Sequence, residues 1–134
     1  MTDGDTIRAA VWLNNSPTKF VFRLGGIDTP ETRRGEAKEF GKKVKEIVAS
    51  MIEGKIVKIE AGESEKYGRI LARIYVWSDE KELCLNDFLL EHEMAKSYMG
   101  KAKVEFTSED EEDFMESYAH KTWPKTVDFP QDQY

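Results

Sequence analysis

The sequence predicts an α+β fold in which a small, highly curved β-sheet carries helices packed at its ends. Apolar and polar residues alternate along several short segments, which indicates strands. Residues 35–52 instead place apolar side chains at steps of three and four, which indicates a helix with one buried stripe. The 134 residues suffice for one hydrophobic core, so we expect residues 1–134 to form a single domain.

The first two elements should form a β-hairpin. In TIRAAVWL the apolar residues alternate from Ile7 onward, and in KFVFRL they alternate up to Leu24. The intervening NNSP, residues 14–17, has the composition of a turn. The period of two puts Arg23 on the face opposite Phe22 and Leu24, where it can meet a cleft or solvent.

The middle of the chain should form one helix and two strands. The helix over 35–52 is followed by Gly54, and glycine commonly stands just after the last helical turn. Strands are expected at 55–61 and 69–77, because apolar residues alternate in both. The polar residues 62–68 between them predict a loop.

The last third should be mainly helical. A short strand at 83–85 leads into a helix that starts near Asn86. A final helix is expected over about 108–120, because Ser108 and Glu111 have the spacing of a capping box. Its acidic first turns suit the positive end of the helix dipole.

This order of hairpin, helix, strands and helices suits an OB-fold barrel of five strands with about three helices. The fold class is therefore α+β or mainly β. After Trp123 and Pro124 the chain is polar, which predicts an irregular tail over 124–134. We find no internal repeat and no second domain.

The charge of the chain argues against attachment to nucleic acid through bulk positive charge. There are 20 basic and 26 acidic residues, a net charge of −6. Seven of the acidic residues, and no basic ones, lie in residues 105–116. We interpret that run as a solvated helix face, in preference to an acidic interaction tail. Any nucleic-acid site should therefore be local.

Three further features narrow the class of protein. No apolar run approaches the roughly 20 residues that span a bilayer, so no membrane association is expected. The single cysteine, Cys84, lies between two leucines and should be a small buried hydrophobe. The polar N-terminus shows no signal peptide, which favours an intracellular location but leaves secretion open.

Polar groups that could perform chemistry cluster where the predicted strands end. DGDT contains Asp3 and Asp5, and IDTPE contains Asp28, Thr29 and Glu31. Arg23 and Arg69 also stand at strand ends. Each of these residues alone has a common structural explanation, such as a turn or a solvated charge. Together, carboxylates and two guanidinium groups are suited to the cleavage of a phosphodiester.

The chemistry of phosphodiester hydrolysis explains each residue type. Two arginines can pair with phosphate oxygens and stabilise the charge that develops in the transition state. A hard divalent cation does the same and prefers oxygen ligands, such as aspartate carboxylates and a backbone carbonyl. A glutamate on the rigid Thr-Pro turn could then take a proton from the attacking water.

Four motifs in order carry a family resemblance. DGDT, FRL…IDTPE, KYGR and LND…AKSY together resemble the staphylococcal nuclease (thermonuclease) family. The resemblance covers the chain from Asp3 to about Tyr98. It implies an OB-fold barrel and a calcium-dependent nuclease that acts on DNA and RNA, with single strands favoured, and leaves 3′-phosphate products.

The resemblance also implies roles for individual residues. For the metal it implies Asp5 and Asp28 as calcium carboxylates and the backbone carbonyl of Thr29. For catalysis it implies Glu31 as the general base or water-orienting group, and Arg23 and Arg69 as the phosphate-binding pair. For the substrate it implies contacts from Lys66, Tyr67 and Tyr98. Asp3 belongs to the motif but should be structural, or at most lie outside the direct ligands of the metal.

The sequence also departs from the family pattern. A strand that precedes DGDT in the family is missing here, so the first strand should be truncated, and the exposed sheet edge could allow self-association. The chain is also acidic where the best-known member is basic, which predicts weaker affinity for long nucleic acid.

Two other functions remain open from the sequence. One is a catalytically weak or inactive OB-fold module that binds nucleic acid or protein, and the other is a structural domain whose acidic helix docks a partner. We favour the enzyme because all five key side chains are present: Asp5, Arg23, Asp28, Glu31 and Arg69.

Overall fold

The structure is a computed structural model that describes residues 3–64, 68–98 and 104–131. Within these ranges it contains seven strands and three helices. The strands are β1 (Thr6–Leu13), β2 (Ser16–Leu24), β3 (Ile27–Asp28), β4 (Lys58–Ser64), β5 (Ile70–Ser78), β6 (Lys81–Cys84) and β7 (Lys96–Ser97). The helices are α1 (Lys38–Ile52), α2 (Leu85–Glu91) and α3 (Ser108–Ser117).

Five of the strands form one mixed sheet, in the order β1-β2-β5-β4, with β6 also paired to β5. β3 and β7 form a separate two-stranded sheet. β2 and β5 are parallel, and the other pairs are antiparallel. The mixed sheet and its helices confirm the α+β prediction and are consistent with an OB fold.

The predicted hairpin is confirmed, with a tighter turn than expected. β1 and β2 pair from Thr6↔Arg23 to Leu13↔Ser16. Only Asn14 and Asn15 form the turn, with φ of 50° and 64°. Two-residue hairpin turns of this kind require positive φ at both positions, which asparagine tolerates. The prediction that the turn extends to residue 17 was therefore wrong.

Helix α1 confirms the predicted apolar stripe but begins three residues later than expected. Gly35 has a φ of 91°, a left-handed backbone that does not continue into a helix. The predicted stop at Gly54 is confirmed, with a φ of 67°. The stripe packs into the core with its main residues fully buried: Phe40, Val44, Ile47, Val48 and Met51.

Several element boundaries after α1 differ from the prediction. β4 continues to Ser64 through an irregularity in its pairing with β5, so the predicted loop begins later. α3 is capped by Thr107 and Asp110, one residue before the predicted pair, and it ends at Ser117 rather than near 120. Asp110 also accepts a hydrogen bond from Lys96 at 2.7 Å, whereas Glu111 of the predicted pair accepts the backbone amide of Phe40 at 2.9 Å.

The tail beyond residue 124 lacks regular elements where it is described, but it packs closely against the domain. Val127 forms an isolated β-bridge with Trp77. Phe129 is buried and stands edge-to-face on the Trp77 ring, with centroids 5.2 Å apart. The hydroxyl of Thr126 donates to the carbonyl of Met51 at 2.7 Å.

Two smaller findings complete the fold. Cys84 is half-buried rather than buried, and its Sγ lies 3.1 Å from the guanidinium of Arg73. Burial raises the pKa of its thiol.

Among the helices of the described ranges, none is both long and apolar enough to cross a membrane.

Candidate active site

Four of the predicted site residues meet where β1 begins and where β2 and β3 end. Asp5, Arg23, Asp28 and Thr29 are all buried, with exposed fractions between 3% and 7%. Asp5 is brought to Arg23 because its carbonyl accepts the amide of Leu24 at 2.8 Å. With Asp3, Arg69 and Tyr98, these residues line a pocket of about 170 Å³.

Arg23 lies between the two carboxylates. One guanidinium nitrogen, Nη2, donates to Oδ1 of Asp28 and stands 3.5 Å from Oδ2 of Asp5. The other, Nη1, donates to the carbonyl of Leu24 at 3.2 Å. The guanidinium also lies over the ring of Tyr98, 4.9 Å from its centroid. Arg23 thus offsets the repulsion between two buried carboxylates.

Asp5 is held in a fixed orientation by its neighbours. Its Oδ2 accepts the backbone amide of Thr29 at 3.2 Å, and its Oδ1 accepts the hydroxyl of Thr6 at 3.4 Å. Burial raises the pKa of Asp5, and the Arg23 charge and the Thr29 amide offset only part of this effect. Keeping the negative charge of Asp5 in this pocket therefore costs free energy.

Asp28 and Thr29 supply the other oxygen groups of the pocket. Oδ2 of Asp28 accepts the backbone amide of Val104 at 3.2 Å. Oγ1 of Thr29 is buried, and no hydrogen-bond partner for it is found in the described part of the chain. A buried hydroxyl without a protein partner is able to contact a bound ion or water.

These oxygen donors fit a hard cation such as calcium, which takes six to eight oxygen ligands, commonly including water. The residues that would hold it are Asp5, Asp28 and Thr29. Asp3 lines the same pocket, but its Oδ1 accepts the amide and the hydroxyl of Thr32, both at 3.1 Å. Within the described ranges, no cluster of three or more His, Cys, Asp or Glu side chains is arranged to hold a metal.

The second predicted arginine and the predicted tyrosine also reach the pocket. Arg69 is half-buried and donates to the hydroxyl of Thr6 at 3.3 Å. The amide of Tyr98 donates to the carbonyl of Gly26 at 2.9 Å, which fixes the tyrosine next to the turn between β2 and β3. Lys66 and Tyr67, the other predicted substrate contacts, lie outside the described residues.

Glu31 lies next to this pocket and not in its wall. It lines a second cavity of about 370 Å³ together with Arg34, Val104 and Phe106. Thr29 belongs to the walls of both cavities. The carboxylate of Glu31 is 4.0 Å from Nε of Arg34. The structure thus brings six of the predicted residues to one pocket and Glu31 to its neighbour.

Sequence reasoning missed one residue that positions Glu31. A β-carbon added to Gly41 of α1 would stand 2.2 Å from the carbonyl oxygen of Glu31 and 2.7 Å from that of Pro30. The helix backbone therefore packs directly on the Pro30–Glu31 segment. The available signal was a glycine within a helical pattern, which often marks a close packing contact.

Comparison with known proteins identifies the family. The sequence model described as "Staphylococcal nuclease homologue" matches residues 21–123, more than half of the chain. The chain belongs to the staphylococcal nuclease family. The matched range contains the motifs that supply Arg23, Asp28, Thr29, Arg69 and Tyr98, whereas the motif with Asp3 and Asp5 precedes it.

Individual proteins also match this chain. "Probable staphylococcal-like nuclease CAN1" of Oryza sativa subsp. japonica is 39% identical over 57 residues, which cover 42% of this chain and 16% of that protein. "Staphylococcal-like nuclease CAN1" of Arabidopsis thaliana is 37% identical over 57 residues, with the same coverage. "Probable endonuclease LCL3" of Candida dubliniensis is 29% identical over 115 residues, which cover 78% of this chain and 49% of that protein. The chain spans about half or less of the length of these relatives.

Proposed function

We propose that this chain is a calcium-dependent nuclease that hydrolyses phosphodiester bonds of DNA and RNA and leaves 3′-phosphate products. The observation that carries the proposal is the burial of Arg23 between Asp5 and Asp28, in a pocket that Arg69 also lines. Family membership and the names of the relatives, two staphylococcal-like nucleases and a probable endonuclease, point the same way.

The two arginines would bind the phosphate. A phosphodiester that enters the pocket meets the guanidinium groups of Arg23 and Arg69, which can pair with its nonbridging oxygens. Because these donors are fixed by contacts to Asp28 and Thr6, little reorganisation is needed as negative charge develops on the phosphate. Arg23 would therefore contribute more to the transition state than to ground-state binding.

Asp5, Asp28 and Thr29 would hold the cation. When bound, calcium supplies electrostatic stabilisation of the phosphoryl oxygens and lowers the pKa of a bound water. The chain's part is to orient the two carboxylates through the Thr29 and Val104 amides.

Glu31 would accept the proton of the attacking water, or orient that water, from the neighbouring cavity. The shared wall at Thr29 puts the two cavities side by side, so the water would lie between the phosphate and Glu31. Lys66, Tyr67 and Tyr98 would contact the substrate beyond the phosphate. Single strands are favoured because their unstacked bases can reach an aromatic ring.

The test is digestion of single-stranded DNA and RNA oligonucleotides with calcium and with a chelator, followed by analysis of the product ends. Removing the charge stabiliser in Arg23→Ala or Arg69→Ala should lower kcat about 100- to 1000-fold. Glu31→Gln should lower kcat about 100-fold or more, as loss of a general base does. Arg73→Ala is the matched control, because Arg73 is exposed and pairs with Asp87 away from the pocket. Equal cleavage with calcium and with the chelator would contradict the proposed calcium dependence.

A second candidate is the catalytically weak or inactive binding module. The observation that favours it is the position of Glu31, which lines a different cavity from Asp5, Arg23 and Asp28. This module would bind an oligonucleotide in calcium without cleaving it, and Glu31→Gln would leave binding unchanged. Cleavage that depends on Glu31 would exclude it.

A further inference from the structure

The β1–β2 hairpin extends beyond the rest of the sheet. β2 pairs with β5 only at Phe22–Leu24, whereas its pairing with β1 runs on to the turn. Residues 8–21, here called the hairpin arm, have only each other as partners in the described strand ladders. The family match begins at residue 21, so the arm lies almost entirely outside it.

One face of the arm continues directly from the candidate active site. The pairs Thr6↔Arg23, Arg8↔Val21, Ala10↔Lys19 and Trp12↔Pro17 share a face, because side chains on paired strands alternate with a period of two. Arg23 is in the pocket, and the Trp12 side of the face is at the tip. At about 3.4 Å per residue, the six residue-to-residue steps from Thr6 to Trp12 span roughly 20 Å.

This face is basic in an acidic protein. Residues 6–27 contain no Asp or Glu, although the whole chain has a net charge of −6. Arg8 and Lys19 are exposed, and neither forms an ion pair within the described part of the chain. The face therefore presents uncompensated positive charge beside a phosphate-binding pocket.

The tip of the arm adds a large exposed ring. Trp12 is 74% exposed, more than the other large exposed hydrophobic residues of the described chain: Leu13, Ile56 and Val127. A single exposed apolar residue is ordinary. An exposed indole at the end of a basic face is the arrangement on which proteins stack the bases of single strands, because phosphates follow the charges and a base covers the ring.

We propose that the arm is an extended binding track for single-stranded nucleic acid. Arg8 and Lys19 contact successive phosphates, and Trp12 stacks on a base several nucleotides away from the phosphate held by Arg23. The proposal rests on the proposed function for the position of the cleaved bond. Binding along the arm can be measured separately from cleavage.

The first experiment measures binding with the chelator present. The probe is a fluorescein-labelled single-stranded DNA of about 12 nucleotides, within the site sizes of OB folds, followed by anisotropy over a series of salt concentrations. Trp12→Ala should weaken binding at least about 5-fold, with Trp12→Phe restoring most of it, and should leave the salt dependence unchanged. Arg8→Ala and Lys19→Ala should each reduce the slope of log K against log salt by about 0.7.

The controls are exposed residues away from the arm, Lys81→Ala for the charge and Val127→Ala for the apolar surface, and neither should change binding. Urea midpoints equal to those of the unmodified chain show that each variant is folded. Unchanged affinity in Trp12→Ala together with unchanged salt slopes in Arg8→Ala and Lys19→Ala would overturn the track. So would a change of oligomeric mass in Trp12→Ala without a change in affinity, because the tip would then be a surface for self-association.

The second experiment separates the track from the nuclease proposal. In the presence of calcium, Trp12→Ala should raise KM for the long oligonucleotide more than KM for a dinucleotide. The lower KM that the long oligonucleotide gains from contacts with the arm should thereby be lost. A chain that binds through the arm but cleaves neither substrate supports the track and contradicts the nuclease function. A chain that cleaves both, with the same ratio of KM values before and after the substitution, overturns the track alone.

Discussion

Among single residues, Arg23 should contribute to the stability of the fold as well as to the proposed catalysis. It is the cation seen between the buried carboxylates of Asp5 and Asp28. Removal of one partner from a buried ionic cluster leaves charge without compensation, at a typical cost of 3–5 kcal/mol. Loss of activity in an Arg23 variant therefore has to be separated from loss of stability.

We expect Arg23→Ala to lower the free energy of unfolding by about 3 kcal/mol, and Arg23→Lys to lower it less, because lysine keeps the charge. Activity should fall in both, since lysine lacks the paired donors that bind a phosphate in bidentate fashion. Urea unfolding alongside the cleavage assay measures the two effects. An Arg23→Lys enzyme with full activity would contradict the bidentate role.

His92 is a second residue whose surroundings have a measurable consequence. Its ring packs against Phe88 at 4.5 Å, Trp123 at 5.3 Å and Tyr118 at 5.8 Å between centroids. Burial lowers the pKa of His92, and the Lys121 charge adds to this effect while Glu91 opposes it. The folded state therefore favours the neutral ring.

A histidine pKa that is lower in the folded state makes stability fall as the pH drops through the range between the unfolded and folded values. The loss should begin near the unfolded value of about 6.5. We expect the urea midpoint to decrease from pH 7.5 to pH 5.5, and His92→Phe to remove part of that decrease. His120→Phe is the control, because His120 is exposed. An identical pH dependence in His92→Phe would show that other groups cause it.

Among the elements, helix α1 sets the position of the segment that carries Glu31. Gly41 lets the helix backbone touch the carbonyls of Pro30 and Glu31, and Gly4 lies over the same helix, where a β-carbon would stand 2.9 Å from Cγ1 of Val44. Two segments of the candidate site, the one with Gly4 and the one with Glu31, thus pack closely against α1 because a glycine stands at each contact. A side chain at either position requires backbone or core atoms to move.

We expect Gly41→Ala to destabilise the fold by about 1–3 kcal/mol despite the better helix propensity of alanine, because the added methyl group overlaps main-chain atoms that cannot rotate away. It should also lower kcat, since the Glu31 segment must shift. Gly62→Ala is a matched control, as its β-carbon would lie 3.4 Å from the nearest atom. Wild-type stability and kcat in Gly41→Ala would contradict the packing argument.

Helix α3 is tied to α1 by a pair of reciprocal contacts. Glu111 accepts the backbone amide of Phe40 at 2.9 Å, and Glu36 accepts the amide of Ser108 at 2.8 Å. Burial alone would raise the pKa of Asp110, but hydrogen bonds from Lys96 and Thr107 outweigh it and lower the pKa. Part of the acidic run is therefore structural, since it satisfies the free amides at two helix starts.

At the scale of the whole molecule, the segment after Pro124 packs against the rest of the fold. The amide of Phe129 donates to the carbonyl of Ile56, and the amide of Ile56 donates to Oδ1 of Asp128, both at 2.9 Å. With the buried Phe129 ring against Trp77, these bonds attach the tail between α1 and β5. The tail thus contributes to the stability of the fold.

We expect Phe129→Ala to lower the free energy of unfolding by about 3 kcal/mol, because a buried aromatic side chain is lost. Val127→Ala should change it by less than about 0.5 kcal/mol, as Val127 is 58% exposed. Urea denaturation compares the two. Equal midpoints for Phe129→Ala and the unmodified chain would show that the tail is not part of the folded unit.

The element types could be predicted from the sequence because they depend on local pattern, whereas the candidate site residues were inferred from the family resemblance of four motifs. Strand alternation predicted the β1–β2 hairpin and placed Arg23 on the face opposite Phe22 and Leu24, and the apolar stripe predicted α1. The exact first and last residues of the elements were predicted less well. The α3 cap lies at Thr107 and Asp110, and Glu111 of the predicted pair instead accepts the backbone amide of Phe40, a residue that is distant in sequence.

By itself, the sequence determined which side chains are available: carboxylates at Asp5 and Asp28, guanidinium groups at Arg23 and Arg69, and their order along the family motif. Only the tertiary structure decided how they meet. It put Arg23 between both carboxylates, Glu31 in the adjoining cavity and Gly41 against the Glu31 backbone. The reason is that residue type and period act between near neighbours, whereas distances between elements depend on the packing of the entire core.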